Sequence, residues 1–245
     1  MIPFLGPADP FPPVEQALDN PDGLLAAGGT LSARRLVDAY RRGIFPWFNE
    51  GDPILWWSPD PRTVLRPSQI HLSHSLRKRM RKQAHLITID RAFARVLEGC
   101  AAPRVGDSGT WLSAAMRRAY IALHGSALAH SVEIWMDGEL AGGIYGVAIG
   151  RMFFGESMFA RRTDASKIAM AGLAAQLERW GFPLIDCQLE TSHLMSLGAE
   201  PMRRRQFVAE ISRLVDAPSP VWELDADLAG DPAHAPRILN LAGAP

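Results

Sequence analysis

In "SARRLVDAYRRG", residues 32–43, Leu36, Ala39 and Tyr40 recur at three- and four-residue spacing, the stripe of an amphipathic helix. The spacing predicts a helix over 32–42, with Ser32 able to cap its first turn and Gly43 to stop it. The stretch before it, "PDGLLAAGGT", reads as a turn and a Gly-Gly loop, and "ILWWSPDPRTVLRP" as two short strands broken by Pro59 and Pro61. From Leu72 the pattern predicts a helix over 73–82, a strand over 85–89, and helices over 90–99 and 112–124. The apolar-rich run "AHSVEIWMDGELAGGIYGVAIGRMFFGESMF" predicts antiparallel strands, with Asp137-Gly138 as a hairpin turn. A helix over 164–180, a strand over 183–189, a short helix near 191–197 and a helix over 204–215 complete the core. Beyond 216 the periodicity lapses into Pro, Ala and Asp, a segment expected to wrap the surface or fray. The expected fold is α+β: a small N-terminal domain over 1–62, then a mostly antiparallel sheet flanked by helices over 63–245.

Composition narrows the function classes. Apolar residues make up 47% of 245 and charged residues 21%, ordinary values for a globular chain. Lys and Arg total 26 and so do Asp and Glu, so bulk charge announces no polyanion partner; one must be read from local patches. Cys100 and Cys187 make neither a disulfide framework nor a zinc cluster, and no His pair has ligand spacing, so no metal site is expected. "MIPFLGPADPFPPVEQ" lacks the basic and apolar regions of a secretory signal, and no apolar run reaches the roughly 18 residues that span a bilayer. The cytoplasm is the expected compartment.

Several residues carry candidate chemistry. In "LIDCQLE", Asp186 and Gln188 lie two apart on an apolar strand, so alternation would point both to one face, where each needs a partner. In "GESMF", Glu156 follows a very apolar strand; an exposed strand-end carboxylate is its plainest reading. Ser157 suggests a nucleophile elbow, but Phe159 stands where the second Gly belongs. "RKRMRK" places Arg77, Lys78, Arg81 and Lys82 on one helical face, a stripe suited to phosphates or simply to solvent. "RRR" at 203–205 is a weaker patch. Trp47 and Trp111 sit in loops, where an indole can stack on a base, although core packing is the default for any one Trp.

Taken together, "GLLAAGGTLSARRLVDAYRRGIFPWF", "DPILWWSPDPR", "GTWLSAAMRRAYIALH", "GGIYGVAIGRMFFGESMF", "DASK" and "LIDCQ" resemble, in order and spacing, the bacterial leucyl/phenylalanyl-tRNA–protein transferases over about 21–207. The resemblance implies a GNAT-type acyltransferase fold in the C-terminal domain. It implies transfer of Leu or Phe, and less readily Met, from aminoacyl-tRNA to the α-amine of proteins beginning with Arg or Lys, which marks them for N-end-rule degradation. It places Asp186, Gln188 and Glu156 in the catalytic site, with Asp186 and Gln188 facing the ester–amine junction. Trp47 and Trp111 would hold the terminal adenosine, and Ile144, Met158, Met170, Leu173 and Ile185 the donor side chain. The basic stripe would take the tRNA backbone. A monomer without cofactor is expected. Two other classes stay open: a serine-dependent acyltransferase or hydrolase using Ser157 with His130 or His193 and Asp186, and a tRNA-binding protein without catalysis.

Overall fold

The structure, a computed structural model, describes residues 2–82, 84–103 and 112–229. A first sheet is built from β1 (Phe4–Leu5), β2 (Leu24–Gly28), β3 (Phe45–Pro46) and β4 (Leu55–Trp57), in the order β1-β2-β4-β3. Helix α1 (Ala33–Arg41) packs beside it, and Ser32 caps the helix by accepting from the Arg35 amide. Leu36, Ala39 and Tyr40 are fully buried, as their spacing predicts, and Gly43 ends the helix region at a φ of +75°. The stretch read as a turn and Gly-Gly loop is instead strand β2 as far as Gly28. Its small side chains, Ala26 and Ala27, are buried between neighbours, which a propensity reading of an Ala-Gly run misses.

The second sheet has seven strands: β5 (Arg62–Leu65), β6 (Leu86–Ile89), β7 (Ala129–Met136), β8 (Glu139–Ile149), β9 (Met152–Ala160), β10 (Leu184–Gln188) and β11 (Glu200–Met202). Their order is β11-β5-β10-β9-β8-β7-β6. The helices are α2 (His74–Lys82), α3 (Phe93–Ala101), α4 (Ala114–Gly125), α5 (Ala165–Arg179), α6 (Ser192–Ser196) and α7 (Arg204–Leu214). Helix α3 begins three residues later than predicted, because Asp90 takes a left-handed φ of 57° and its carboxylate accepts from the Ser131 amide, leaving the strand before the helix turns. The Asp137-Gly138 hairpin has φ of 52° and 77°, the positive pair that a two-residue turn of this hand requires. Among the described residues no helix is long and apolar enough to cross a membrane.

Alternation along the strands divides the core. Helix α5 lies on one face, where Ile144, Phe153, Ile185, Met170 and Leu173 join a single cluster. On the other face Tyr145, Phe154 and Leu184 meet α3, α4 and α1, and the same cluster runs on into Leu25, Ala26 and Trp56 of the first sheet. The segment 222–229 after α7 is tied down rather than frayed. Trp222 stacks on His130 at 3.8 Å, Arg179 pairs with Asp225 and Asp227, and the Ile87 amide donates to the Ala229 carbonyl.

Every strand pair of the large sheet is antiparallel except β9 with β10. That parallel pairing covers Met152–Phe154 against Leu184–Asp186 and then stops, although β9 runs on to Ala160 and β10 to Gln188. The sheet opens where the two strands part.

Candidate active site

A cleft of about 950 Å³ occupies that opening. Glu156, Ser157 and Met158 of β9 line it on one side, and Cys187, Gln188 and Leu189 on the other. Trp47 stands at the rim, 42% exposed, and its carbonyl accepts from the Trp57 indole N–H at 2.7 Å.

Glu156 sits at a register shift, between Tyr145 opposite Ser157 and Gly146 opposite Gly155. Glu156 keeps the phase of Phe154, whose ring packs on Tyr40, so its carboxyl faces α1 and α4. The bulge instead turns Met158, two residues on, to the α5 face. Tyr40 of α1 donates to Glu156 Oε1 at 2.7 Å and Tyr120 of α4 to Oε2 at 2.5 Å; the two phenol oxygens are themselves 2.9 Å apart. Gln188 Nε2 donates to Oε1 at 3.2 Å. Desolvation raises the pKa of Glu156 to about 7, against the opposing effect of the two tyrosine hydrogen bonds; the Asp186 charge raises it further and Arg62 lowers it.

Asp186 departs from expectation. Its carboxylate is fully buried and does not line the cleft. Arg62, on the neighbouring strand β5, donates Nε to Oδ1 at 2.8 Å and Nη2 to Oδ2 at 2.7 Å, a bidentate pair. The guanidinium is itself held between the rings of Phe45 and Phe207, at 4.6 and 4.8 Å, and gives Nη1 to the Gly43 carbonyl. The Gln188 amide donates to Asp186 Oδ1 at 2.9 Å across a second register shift, and Gln188 takes a φ of +60°. The two side chains share a face, as alternation predicts. Arg62 lies against Phe45 and Phe207, and Glu156 against Tyr40 and Tyr120, of one core cluster, while Ile185 and Cys187 join the other. What differs is the partner each meets. Asp186 points into the protein and Gln188 reaches the cleft.

The other predicted residues fall as follows. Ile144 lies opposite Met158 across β8 and β9, and Ile144, Met170, Leu173 and Ile185 are closed into the core on the α5 face. Of these five, Met158 alone lines the cleft. On α2, Leu76 is buried, whereas Arg77, Lys78, Arg81 and Lys82 are exposed; Arg79 turns back to Asp164 at 2.9 Å. Trp111 lies outside the described residues. No hydrogen bond joins Ser157 to His130 or His193 among the described residues; His130 is engaged by Asp90 at 2.6 Å and by Trp222. In the "RRR" patch Arg204 gives its amide to Asp60 and Nη1 to the Ser58 carbonyl, a structural tie.

Reading the sequence misses Tyr40, Tyr120 and Arg62. The tyrosines are indistinguishable there from members of an apolar helical stripe. Arg62 did leave a signal: a cation opening the apolar strand "RTVL" needs a buried anion, and Asp186 needs a buried cation.

The leucyl/phenylalanyl-tRNA protein transferase model matches residues 64–212, and that of the family's N-terminal domain matches residues 29–60. The leucyl/phenylalanyl-tRNA–protein transferase of Nitrosomonas europaea is 59% identical over 214 residues, 87% of this chain and 91% of the relative. That of Bordetella petrii is 52% identical over 250 aligned residues, 97% of this chain and 99% of the relative. Among solved structures, L-PGS from Bacillus licheniformis aligns with 65% of this chain and 51% of its own, at 10% identity and a TM-score of 0.37. A GCN5-related N-acetyltransferase from Kribbella flavida aligns with 68% of this chain and 60% of its own, at 13% identity and a TM-score of 0.33.

Proposed function

The chain belongs to the leucyl/phenylalanyl-tRNA–protein transferase family, and we propose that Glu156 is the group that exchanges the proton in its reaction. The enzyme transfers an aminoacyl group, leucyl or phenylalanyl, from tRNA to protein. In our reading its acceptors begin with Arg or Lys, methionine is a weaker donor, and the product is a degradation signal. The observation that carries the assignment is the cluster of Tyr40, Tyr120 and Gln188 on Glu156 at the cleft wall.

An aminoacyl ester is already activated, so no covalent enzyme intermediate is required. The incoming α-ammonium has a reference pKa of about 8, and Glu156 at about 7 can take its proton with little free-energy change. The freed nitrogen attacks the ester carbonyl. A C–N bond forms and the C–O bond to the ribose breaks. The proton on Glu156 goes to the departing ribose oxygen, and the second proton, shed by the nitrogen as it becomes an amide, passes to the freed Glu156 carboxylate and on to solvent. Hydrogen counting supports the role. Three oxygen–oxygen contacts join Tyr40, Tyr120 and Glu156, but two phenols hold only two hydrogens. A protonated carboxyl supplies the third and closes the ring, so the cluster accommodates the proton between the two steps.

Gln188 spends its N–H on Glu156 and keeps its carbonyl oxygen for an N–H of the amine. Asp186 acts at one remove: with Arg62 it fixes the bulge that holds Gln188 in place. Trp47, at the rim, is suited to stacking on the terminal adenine. Met158, backed by Ile144, Met170, Leu173 and Ile185, is the apolar wall for the donor side chain. Such a wall discriminates by only about 1–3 kcal/mol per methylene, so β-branched donors are disfavoured rather than refused. The test is single-turnover transfer from Leu-tRNA to an Arg-initiated peptide, run beside a melting curve. Glu156→Gln should lower the rate by about 10²–10⁴-fold with the fold intact. Near-normal transfer by the folded variant would overturn the assignment.

A further inference from the structure

We infer that Arg161 and Lys167 receive the backbone phosphates of the unpaired 3′ end of the tRNA between the basic helix α2 and the cleft. This rests on the donor being aminoacyl-tRNA with its stem on α2. The connection from β9 to α5, "RRTDASK" over 161–167, carries three cations and one acid, and the family resemblance alone gives it no task. Arg161 lines the cleft and is exposed, and among the described residues it pairs with no carboxylate; its guanidinium lies 5.4 Å from the Phe159 ring. Ser166 lines the cleft as well. Lys167 is one residue further along, with Nζ 3.9 Å from Asp164, too far for a hydrogen bond.

The same Asp164 carboxylate holds Arg79 of α2 at 2.9 Å. The exposed cations of α2 therefore continue, through Arg79 and Lys167, into Arg161 on the cleft wall. The Asp164 side chain serves this join rather than the cap of its own helix. The residue occupies the N-cap position of α5 at a φ of 64°, its carbonyl accepts from the Ile168 amide, and its carboxylate makes no capping hydrogen bond. The base of the join is rigid. Ala165 packs so closely on Gly142 of β8 that a Cβ built there would meet the Ala165 Cβ at 2.6 Å. A chain whose stem lies on α2 and whose ester lies at Glu156 has to cross this segment, and it carries one negative charge per nucleotide. The alternative occupant, the acceptor protein, is disfavoured by charge: an acceptor beginning with Arg or Lys would bring its cation to Arg161.

The test compares binding of intact tRNA with tRNA trimmed of its unpaired 3′ nucleotides, as a function of salt. Arg161→Ala and Lys167→Ala should each weaken binding of intact tRNA by about threefold to tenfold. Each should also flatten the plot of log K against log salt by roughly 0.7, the single-strand value per phosphate. With trimmed tRNA the loss should disappear, and Arg161→Lys should recover most of the affinity. Equal losses with intact and trimmed tRNA, or an unchanged salt slope, would overturn the inference. So would a rise confined to the KM of an Arg-initiated peptide, which would give these cations to the acceptor. Absence of transfer by the wild-type protein would instead count against the function proposed above, since this readout needs no turnover.

Discussion

At the residue scale the site is a contest between desolvation and hydrogen bonding on one carboxyl. Burial pushes Glu156 up to about 7, and the hydrogen bonds from Tyr120 and Tyr40 restrain the rise. Tyr120→Phe removes one restraint and leaves the burial, so the acid limb of the pH profile of kcat/KM should move to higher pH, by about one unit. Tyr40→Phe should move it the same way. A limb that stays in place would separate these phenols from the titrating group. Asp186 faces a different balance. Asp186→Asn leaves Arg62 buried without its counter-charge, at a cost of about 3–5 kcal/mol, and a Tm lower by the order of 10 °C should appear in a melting curve. Replacing both partners, Arg62→Met with Asp186→Leu, should restore much of that stability. An Asp186→Asn protein that melts like wild type yet transfers nothing would return its carboxylate to the chemistry.

At the element scale, α2 and β10 show how packing assigns tasks to faces. Only Leu76 of α2 is buried, with Met80 partly so, and this fixes which side of the helix meets solvent. Arg77 already donates to the Leu72 carbonyl and Arg79 to Asp164, so Lys78 and Arg81 are the free test of the stripe. Lys78→Ala with Arg81→Ala should weaken tRNA binding across tRNA sequences alike, and reduce the salt slope by roughly 0.9 for each duplex phosphate lost. A salt slope equal to that of wild type would remove α2 from the interface. The periodicity of α2 was enough to find that stripe. That of β10 placed Asp186 and Gln188 on one face, but not which partner each meets there: the first is closed in on the buried Arg62 and the second reaches Glu156 at the cleft.

At the scale of the whole molecule, two desolvated carboxyls, one in the core and one on the cleft wall, set a pH dependence of stability. Glu133 is fully buried, accepts from Thr88 at 2.5 Å and from Ser131, and is nonetheless raised from 4.5 to about 7, with desolvation the largest cause. Glu156 is raised in the same direction. The folded state therefore binds more protons than the unfolded state between about pH 4.5 and 7. Stability from these groups is fully present below that window and is lost as pH rises through it, by about 3 kcal/mol for Glu133. Glu133→Gln should flatten the slope of Tm between pH 5 and 7, and an unaltered slope would place its titration elsewhere.

The order of helices α1 to α7 and of strands β4 to β10, the cation stripe and the candidate polar residues on β9 and β10 were legible in the sequence alone, because periodicity and turn chemistry act within a few residues. The short strands β1, β2, β3 and β11 were not. Ser32 capping α1, Gly43 ending it and the Asp137-Gly138 turn are local in this sense. Only the tertiary structure decided what those polar residues meet. Tyr40 and Glu156 are 116 positions apart, and Arg62 and Asp186 are 124. Which distant strand lies beside β10, and where β9 parts from it to open the cleft, follow from sheet order and register, which depend on burial summed over both faces. A carboxylate on an apolar strand announces that it needs a partner; whether that partner is a buried arginine or a substrate depends on which chain segment the fold packs against it.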